Sequence, residues 1–219
     1  LLYVVTFQLH AQDVIIPDSA FKAALVGNSL INTNADSAIQ VSEASVFTGG
    51  IYVGGLGISD LTGIEAFTNL SVLNVNSNFL TSLDLSNNLQ LTQINCFNNQ
   101  LDTLVLSADT LLTYVECSYN HLHGINVSGL PNLQTLNCTN NLLTALDVSQ
   151  NIQLTTLHCS SNSIQVLDLL TNANLLYLDC SFNLLNNLDL STLNNLIFVT
   201  CNNNSLTSLS FSPADTVLS

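Results

Sequence analysis

Residues 133–149 read Leu133-Gln134-Thr135-Leu136-Asn137-Cys138-Thr139-Asn140-Asn141-Leu142-Leu143-Thr144-Ala145-Leu146-Asp147-Val148-Ser149. Leu136 and Cys138 alternate with polar neighbours, the period-two pattern of a strand with one buried face. The same stretch recurs along the chain. Cysteines stand at 96, 117, 138, 159, 180 and 201, each 21 residues from the next. Asn78, Asn99, Asn120, Asn141, Asn162, Asn183 and Asn204 keep that interval, as do Leu70, Leu91, Leu112, Leu133, Leu154, Leu175 and Leu196. A fixed period of this length is the mark of a solenoid. No single coil can bury its own Leu, Ile, Val and Cys set, but coils stacked ~4.8 Å apart form a continuous core. The periodic asparagine is expected to turn inward and satisfy backbone groups exposed where the strand bends.

The unit generalises to LxxLxCxxNxLxxLDLSxNxx and resembles the leucine-rich-repeat family, specifically its 21-residue bacterial class, from Leu70 to about Thr216. A degenerate unit before it, Ile51-Tyr52-Val53 through Ile58, Leu61, Ile64 and Phe67, is similar to the first repeat of internalin-type proteins. The resemblance implies a mainly β repeat solenoid, right-handed, with a parallel sheet along one face and a small helical cap of the truncated EF-hand kind. The expected layout is a signal-peptide remnant over 1–11, a cap over 12–50, a degenerate repeat over 51–69, seven repeats over 70–216, and the start of a linker at 217–219.

Composition sharpens this. The chain has 219 residues, with Lys22 its only Lys or Arg against 15 Asp and Glu, giving a formal charge of −14. Binding nucleic acid needs cations to neutralise phosphates, so that class is excluded. An apolar fraction of 47% and a mean hydropathy of +0.41 exclude charge-rich disorder. No apolar run reaches the ~18 residues of a membrane span. The stretch from Leu1 to Leu9, followed by His10-Ala11, reads as the apolar core and cleavage end of a signal peptide, with a first strand as the alternative. The expected location is therefore secreted or at the cell surface.

The even cysteine count invites a disulfide framework. Each Cys, however, takes the position of Val75 in the first full unit, as a small buried hydrophobe would. Parallel side chains on stacked strands hold Cβ atoms about as far apart as the strands, beyond the ~3.8 Å a bridge prefers. No CxxC pair offers tetrahedral metal ligation. Buried thiols are the favoured reading, ahead of partial bridging and of metal.

In the cap, Asp18 or Ser19 starts a short helix with Phe21 and Leu25 on one face, and Gly27-Asn28 ends it. Asn32, Asn34, Asp36, Ala38, Gln40 and Glu43 then follow the spacing of an EF-hand calcium loop, with Ser37 in place of the usual glycine. Only Asp36 and Glu43 carry charge, which points to weak, extracellular-type affinity. Internalin-type caps are similar to truncated EF-hands that hold no ion, the alternative the resemblance implies.

The strand residues that alternate with the core line the sheet's outer, concave face. One column runs Asn74, Asn95, Glu116, Asn137, His158, Asp179, Thr200; beside it lie Tyr114, Tyr177 and Phe198 on one side and Phe97 on the other, with Tyr119 and Phe182 in a further column. Aromatic faces among amides and hydroxyls suit recognition of an extracellular protein or a glycan. His158, Asp179 and Ser160 or Ser181 invite comparison with a hydrolase triad. The unit has no strained nucleophile turn, and its strand N–H groups are consumed in the ladder. The expected role is a non-enzymatic binding module. A structural spacer or adhesin stalk, or an accessory region of a larger secreted protein, is the alternative.

Overall fold

In the computed structural model, which describes residues 12–106 and 111–212, each repeat places one short strand in a shared sheet. The elements are α1 (Ser19–Val26), α2 (Val41–Val46), β1 (Gly50–Tyr52), β2 (Val72–Asn74), β3 (Ser82–Asp84), β4 (Gln93–Asn95), β5 (Thr103–Val105), β6 (Tyr114–Glu116), β7 (Thr135–Asn137), β8 (Thr156–His158), β9 (Tyr177–Asp179), β10 (Asn187–Leu190), β11 (Phe198–Thr200) and β12 (Ser208–Phe211). Eight of them form one parallel sheet in the order β1-β2-β4-β6-β7-β8-β9-β11. Its register advances by one repeat per strand, so Tyr114 pairs with Thr135, Val115 with Leu136 and Glu116 with Asn137. The readings over 1–11 and 213–219, the signal-peptide remnant and the linker, lie outside the described residues.

The inward positions are the ones the alternation marks. Leu73, Ile94, Val115, Leu136, Leu157 and Leu178 are fully buried, as are Val75 and the cysteines from Cys96 to Cys180. Cys201 and Leu206, in the last described coil, are only partly covered because packing reaches them from one side. All six thiols are unpaired. On the side opposite the main sheet, β3 pairs with β5 and β10 with β12 as two small parallel sheets. The LDL half of the repeat unit, Leu83-Asp84-Leu85 in the first full coil, supplies this second ladder, with Ser82 opening the strand.

The asparagine ladder locks coil to coil. Asn141 Nδ2 donates to the carbonyls of Cys117 and Cys138, both at 3.1 Å, while its Oδ1 accepts the N–H of Leu122 at 3.0 Å. Asn78, Asn99, Asn120, Asn162, Asn183 and Asn204 repeat this scheme. The second asparagine of the repeat unit forms another ladder, an inward role that the sequence reading did not assign to it. Asn88, Asn151 and Asn172 are fully buried, and Asn151 Nδ2 donates to Val127 O at 2.9 Å and Leu130 O at 2.8 Å. Leu130 and Leu193 occupy the same position in other coils, which blurs the pattern in sequence.

The cap joins this stack through α1. Asp18 Oδ1 accepts the N–H groups of Ala20 and Phe21, both at 3.0 Å, and its Oδ2 accepts Ser59 N at 2.9 Å, tying the helix start to the first repeat. Phe21 and Leu25 are buried as the helical spacing requires. Phe47 meets Phe67 edge to face, with centroids 6.3 Å apart, across the seam between cap and solenoid. Helix α2, which the loop spacing did not reveal, is capped by Gln40 and folds Glu43 inward.

Candidate functional site

The parallel register brings the expected columns together on the outer face of the sheet. Tyr114, Thr135, Thr156, Tyr177 and Phe198 stand side by side on successive strands, next to Glu116, Asn137, His158, Asp179 and Thr200. Phe198 and Tyr177 are 56% and 42% exposed, and Tyr119 and Phe182 are about half exposed. Phe97 is half-buried because it packs edge-on against Tyr119, with centroids 5.4 Å apart. Exposed aliphatics occur elsewhere, such as Val166 and Leu170, but among the described residues the exposed aromatics gather on this side, Phe79 and Phe211 excepted.

Tyr52 belongs to this face and the sequence reading missed it. It pairs with Asn74, and the step from β1 to β2 is one residue longer than the repeat, which takes it out of the period. Its ring lies back over Gly50, where an added Cβ would come within 2.5 Å of the ring. Between Tyr52 and Tyr114 lies a depression of about 250 Å³ floored by Val72, Asn74, Gln93 and Asn95.

The charged members of the face are internally satisfied. Glu116 accepts the N–H of Ser118 at 2.9 Å, the Ser118 hydroxyl, and Asn137 Nδ2 at 2.7 Å. Asp179 accepts both the N–H and the hydroxyl of Ser181, at 3.0 and 2.6 Å. Desolvation, then the Glu116 charge, raises the Tyr114 phenol, so it stays neutral at physiological pH. The triad-like residues do not assemble. Asp179 is engaged by Ser181, Ser160 bonds Thr139 at 3.3 Å, and no hydrogen bond joins His158 to either serine among the described residues.

Backbone geometry adds a second signal. Ser77, Asn98, Tyr119, Asn140, Ser161, Phe182 and Asn203, one per coil, all have φ between +52° and +57°. Asparagine tolerates this left-handed region, whereas Tyr and Phe incur ~1 kcal/mol or more. The aromatics at 119 and 182 thus sit where stability would favour a polar residue, and both project into solvent.

The cap loop places Asn32, Gln40 and Glu43 in buried positions, with Asn34 and Asp36 exposed and Ala38 between. The sharp turn falls at Ala35 (φ 58°) rather than at Ser37. Glu43 Oε1 accepts Thr33 N at 2.8 Å, Thr33 Oγ1 at 2.9 Å and Asn34 N at 3.3 Å, while Oε2 accepts Gln40 N at 3.0 Å. Asn34 Nδ2 and Gln40 Nε2 both donate to Asp36 Oδ2, at 3.0 and 3.1 Å. A calcium ion entering this loop would have to displace those donors, so the arrangement as it stands does not fit one. Within this loop Asn32 Oδ1 is a buried acceptor without a partner among the described residues. Burial would raise the Glu43 carboxyl, but the donors from Gln40, Thr33 and Asn34 bring it below the usual range.

The acidic column opposite is likewise self-contained. Asp84, Asp147, Asp168 and Asp189 each accept the N–H two residues on, at 2.9–3.0 Å. Ser210 also donates to Asp189, and these hydrogen bonds lower its carboxyl to about 2. Desolvation pushes the buried thiols up, to about 12 at Cys138 and Cys180 and well above the normal range at Cys117 and Cys159.

Stacked coils, a parallel sheet and repeated asparagine and cysteine ladders define a leucine-rich-repeat protein of the bacterial kind. Among solved structures, the chain is 32% identical to the functional domain of InlJ from Listeria monocytogenes, described as including a cysteine ladder. That match covers 91% of this chain and 54% of the other, with a TM-score of 0.53. The chain thus spans about half the length of that InlJ structure. It is 25% identical to internalin C2 from Listeria monocytogenes, covering 86% of this chain and 95% of that one (TM-score 0.60). To YopM from Yersinia enterocolitica it is 26% identical, over 75% of this chain and 36% of that one (TM-score 0.66). No family model matches the chain, and no curated protein does. Among the described residues, no helix is long and apolar enough to cross a membrane.

Proposed function

We propose that this chain is a secreted or cell-surface binding module that holds an extracellular protein or a glycan against the outer face of its main sheet, without catalysis of its own. The observation that carries this is the set of exposed aromatics, Tyr52, Tyr114, Tyr177 and Phe198, fixed on one rigid parallel sheet. Aromatic side chains contribute large contact area at low entropic cost, which is why recognition surfaces use them. Tyr119 and Phe182 support the reading, since both occupy strained backbone positions. The likeness to InlJ and internalin C2 supports a repeat module of the same general kind.

The test is a paired substitution. Tyr177→Ala with Phe198→Ala removes two aromatic faces from adjacent strands, while Val166→Ser with Leu170→Ser changes two exposed aliphatics away from the sheet. Binding to the surface of the cells the protein meets should fall at least tenfold in the first variant and stay unchanged in the second. Equal binding by both would place recognition elsewhere.

A further inference from the structure

Hydrogen-bonding capacity is unevenly spent across the sheet face. Toward β6–β9 the carboxylates of Glu116 and Asp179 have their donors within the chain. Between Tyr52 and Tyr114 the situation reverses. Asn74 and Asn95 use only their Oδ1 atoms, to accept Asn76 N at 3.2 Å and Phe97 N at 3.0 Å. Their Nδ2 groups, and the whole Gln93 amide, have no partner among the described residues. Three neighbouring amides thus offer donors and an acceptor to solvent, walled at each end by a tyrosine.

We infer that the Tyr52–Tyr114 trough is a subsite for a neutral oligosaccharide, an assignment that rests on the concave-face reading above. The walls stand three strand steps apart, ~14 Å at the usual spacing, which gives a short glycan room to lie along the floor. A sugar ring offers an apolar C–H face for a tyrosine and hydroxyls that both donate and accept, matching a floor of planar amides and Val72. No charged side chain lines the trough, and the chain's −14 charge with a single Lys disfavours anionic glycans. Pre-organisation is built in: the Tyr52 ring fits flat on the sheet because residue 50 has no Cβ. Gly50 is a positioning residue, acting through Tyr52 and not on the sugar.

The experiment is calorimetric titration of the intact chain with chitotetraose, cellotetraose, maltotetraose and mannotetraose, alongside an anionic heparin tetrasaccharide. At least one neutral sugar should bind, and the heparin fragment should not. Tyr52→Ala and Gln93→Ala should each weaken that binding by about tenfold. Gly50→Ala should weaken it severalfold with an unchanged melting midpoint, and Val166→Ser, exposed away from the main sheet, should leave it intact. No neutral sugar binding, heparin binding alone, or neutral binding indifferent to Tyr52 and Gln93 would each overturn the trough assignment. If recognition is nevertheless lost in the Tyr177/Phe198 double variant, the broader concave-face reading survives; if that too is unaffected, both fall.

Discussion

Replacing Asn141 with alanine tests how the coils are held together. The side chain is 6% exposed and makes contacts in two directions. Its Nδ2 serves the carbonyls of Cys117 and Cys138, yet those carbonyls also receive Asn120 Nδ2 and Asn162 Nδ2, each at 3.0 Å. The carbonyls would therefore keep one donor each. Leu122 N is different, because Asn141 Oδ1 is its sole partner among the described residues. One orphaned buried N–H costs about 1–3 kcal/mol, and weakening two carbonyl bonds adds about 0.5–1.5 kcal/mol. The expected loss is about 2–4 kcal/mol, a large part of a typical domain's stability of ~5–15 kcal/mol. Asn204→Ala also takes the acceptor from Leu185 N, at 3.0 Å, but Asn204 is only half-buried, so water can replace part of its bonds and the loss should be smaller, about 1–2 kcal/mol. Urea unfolding followed by circular dichroism gives both values, and amide exchange at Leu122 should quicken selectively in Asn141→Ala. Equal losses at the two positions, or an unchanged Leu122 amide, would refute the reasoning.

Other expectations follow from the same geometry. A thiol reagent at pH 8 should label at most Cys201 in the native chain and six thiols after unfolding without reductant, since burial holds the rest protonated; fewer than six would reveal bridges. Phe182→Asn should stabilise the fold by about 0.5–1 kcal/mol by relieving a left-handed aromatic, read as a higher melting midpoint; a lower one would mean Phe182 packs more than its exposure suggests. The Glu43 and Asp18 carboxyls are lowered on folding, so their stabilisation is full above about pH 4.3 and is lost as pH falls through their folded values. Glu43→Gln should flatten that acid limb. Melting in calcium and in chelator should give the same midpoint, because four donors already surround Glu43; a clear rise with calcium would show that they yield to the ion.

Much of this fold is legible in the repeat because each coil must present the same inward set to its neighbours. Leu136, Cys138 and Asn141 announce their positions by recurring, and Asp18 and Phe21 announce α1 by capping chemistry and spacing. What the sequence hides is set by local departures from the period. Tyr52 escapes because the first step carries an extra residue, and the buried role of Asn88, Asn151 and Asn172 escapes because leucine takes their place at 130 and 193. Helix α2 escapes because Glu43, read by spacing as a cation ligand, closes the loop as a hydrogen-bond acceptor and caps the helix. The columns of the outer face were visible, but which amides are spent and which are unspent depends on side-chain contacts across coils.

Photo-crosslinking from single sites on the intact chain is the most direct measure of where it binds. A benzophenone-bearing residue in place of Tyr177 faces outward from the main sheet, whereas one in place of Val166 is exposed away from it. With both proteins applied to the same cell surface, irradiation should yield adducts from position 177 and none from position 166. Adducts from position 166 alone would contradict recognition through the sheet face.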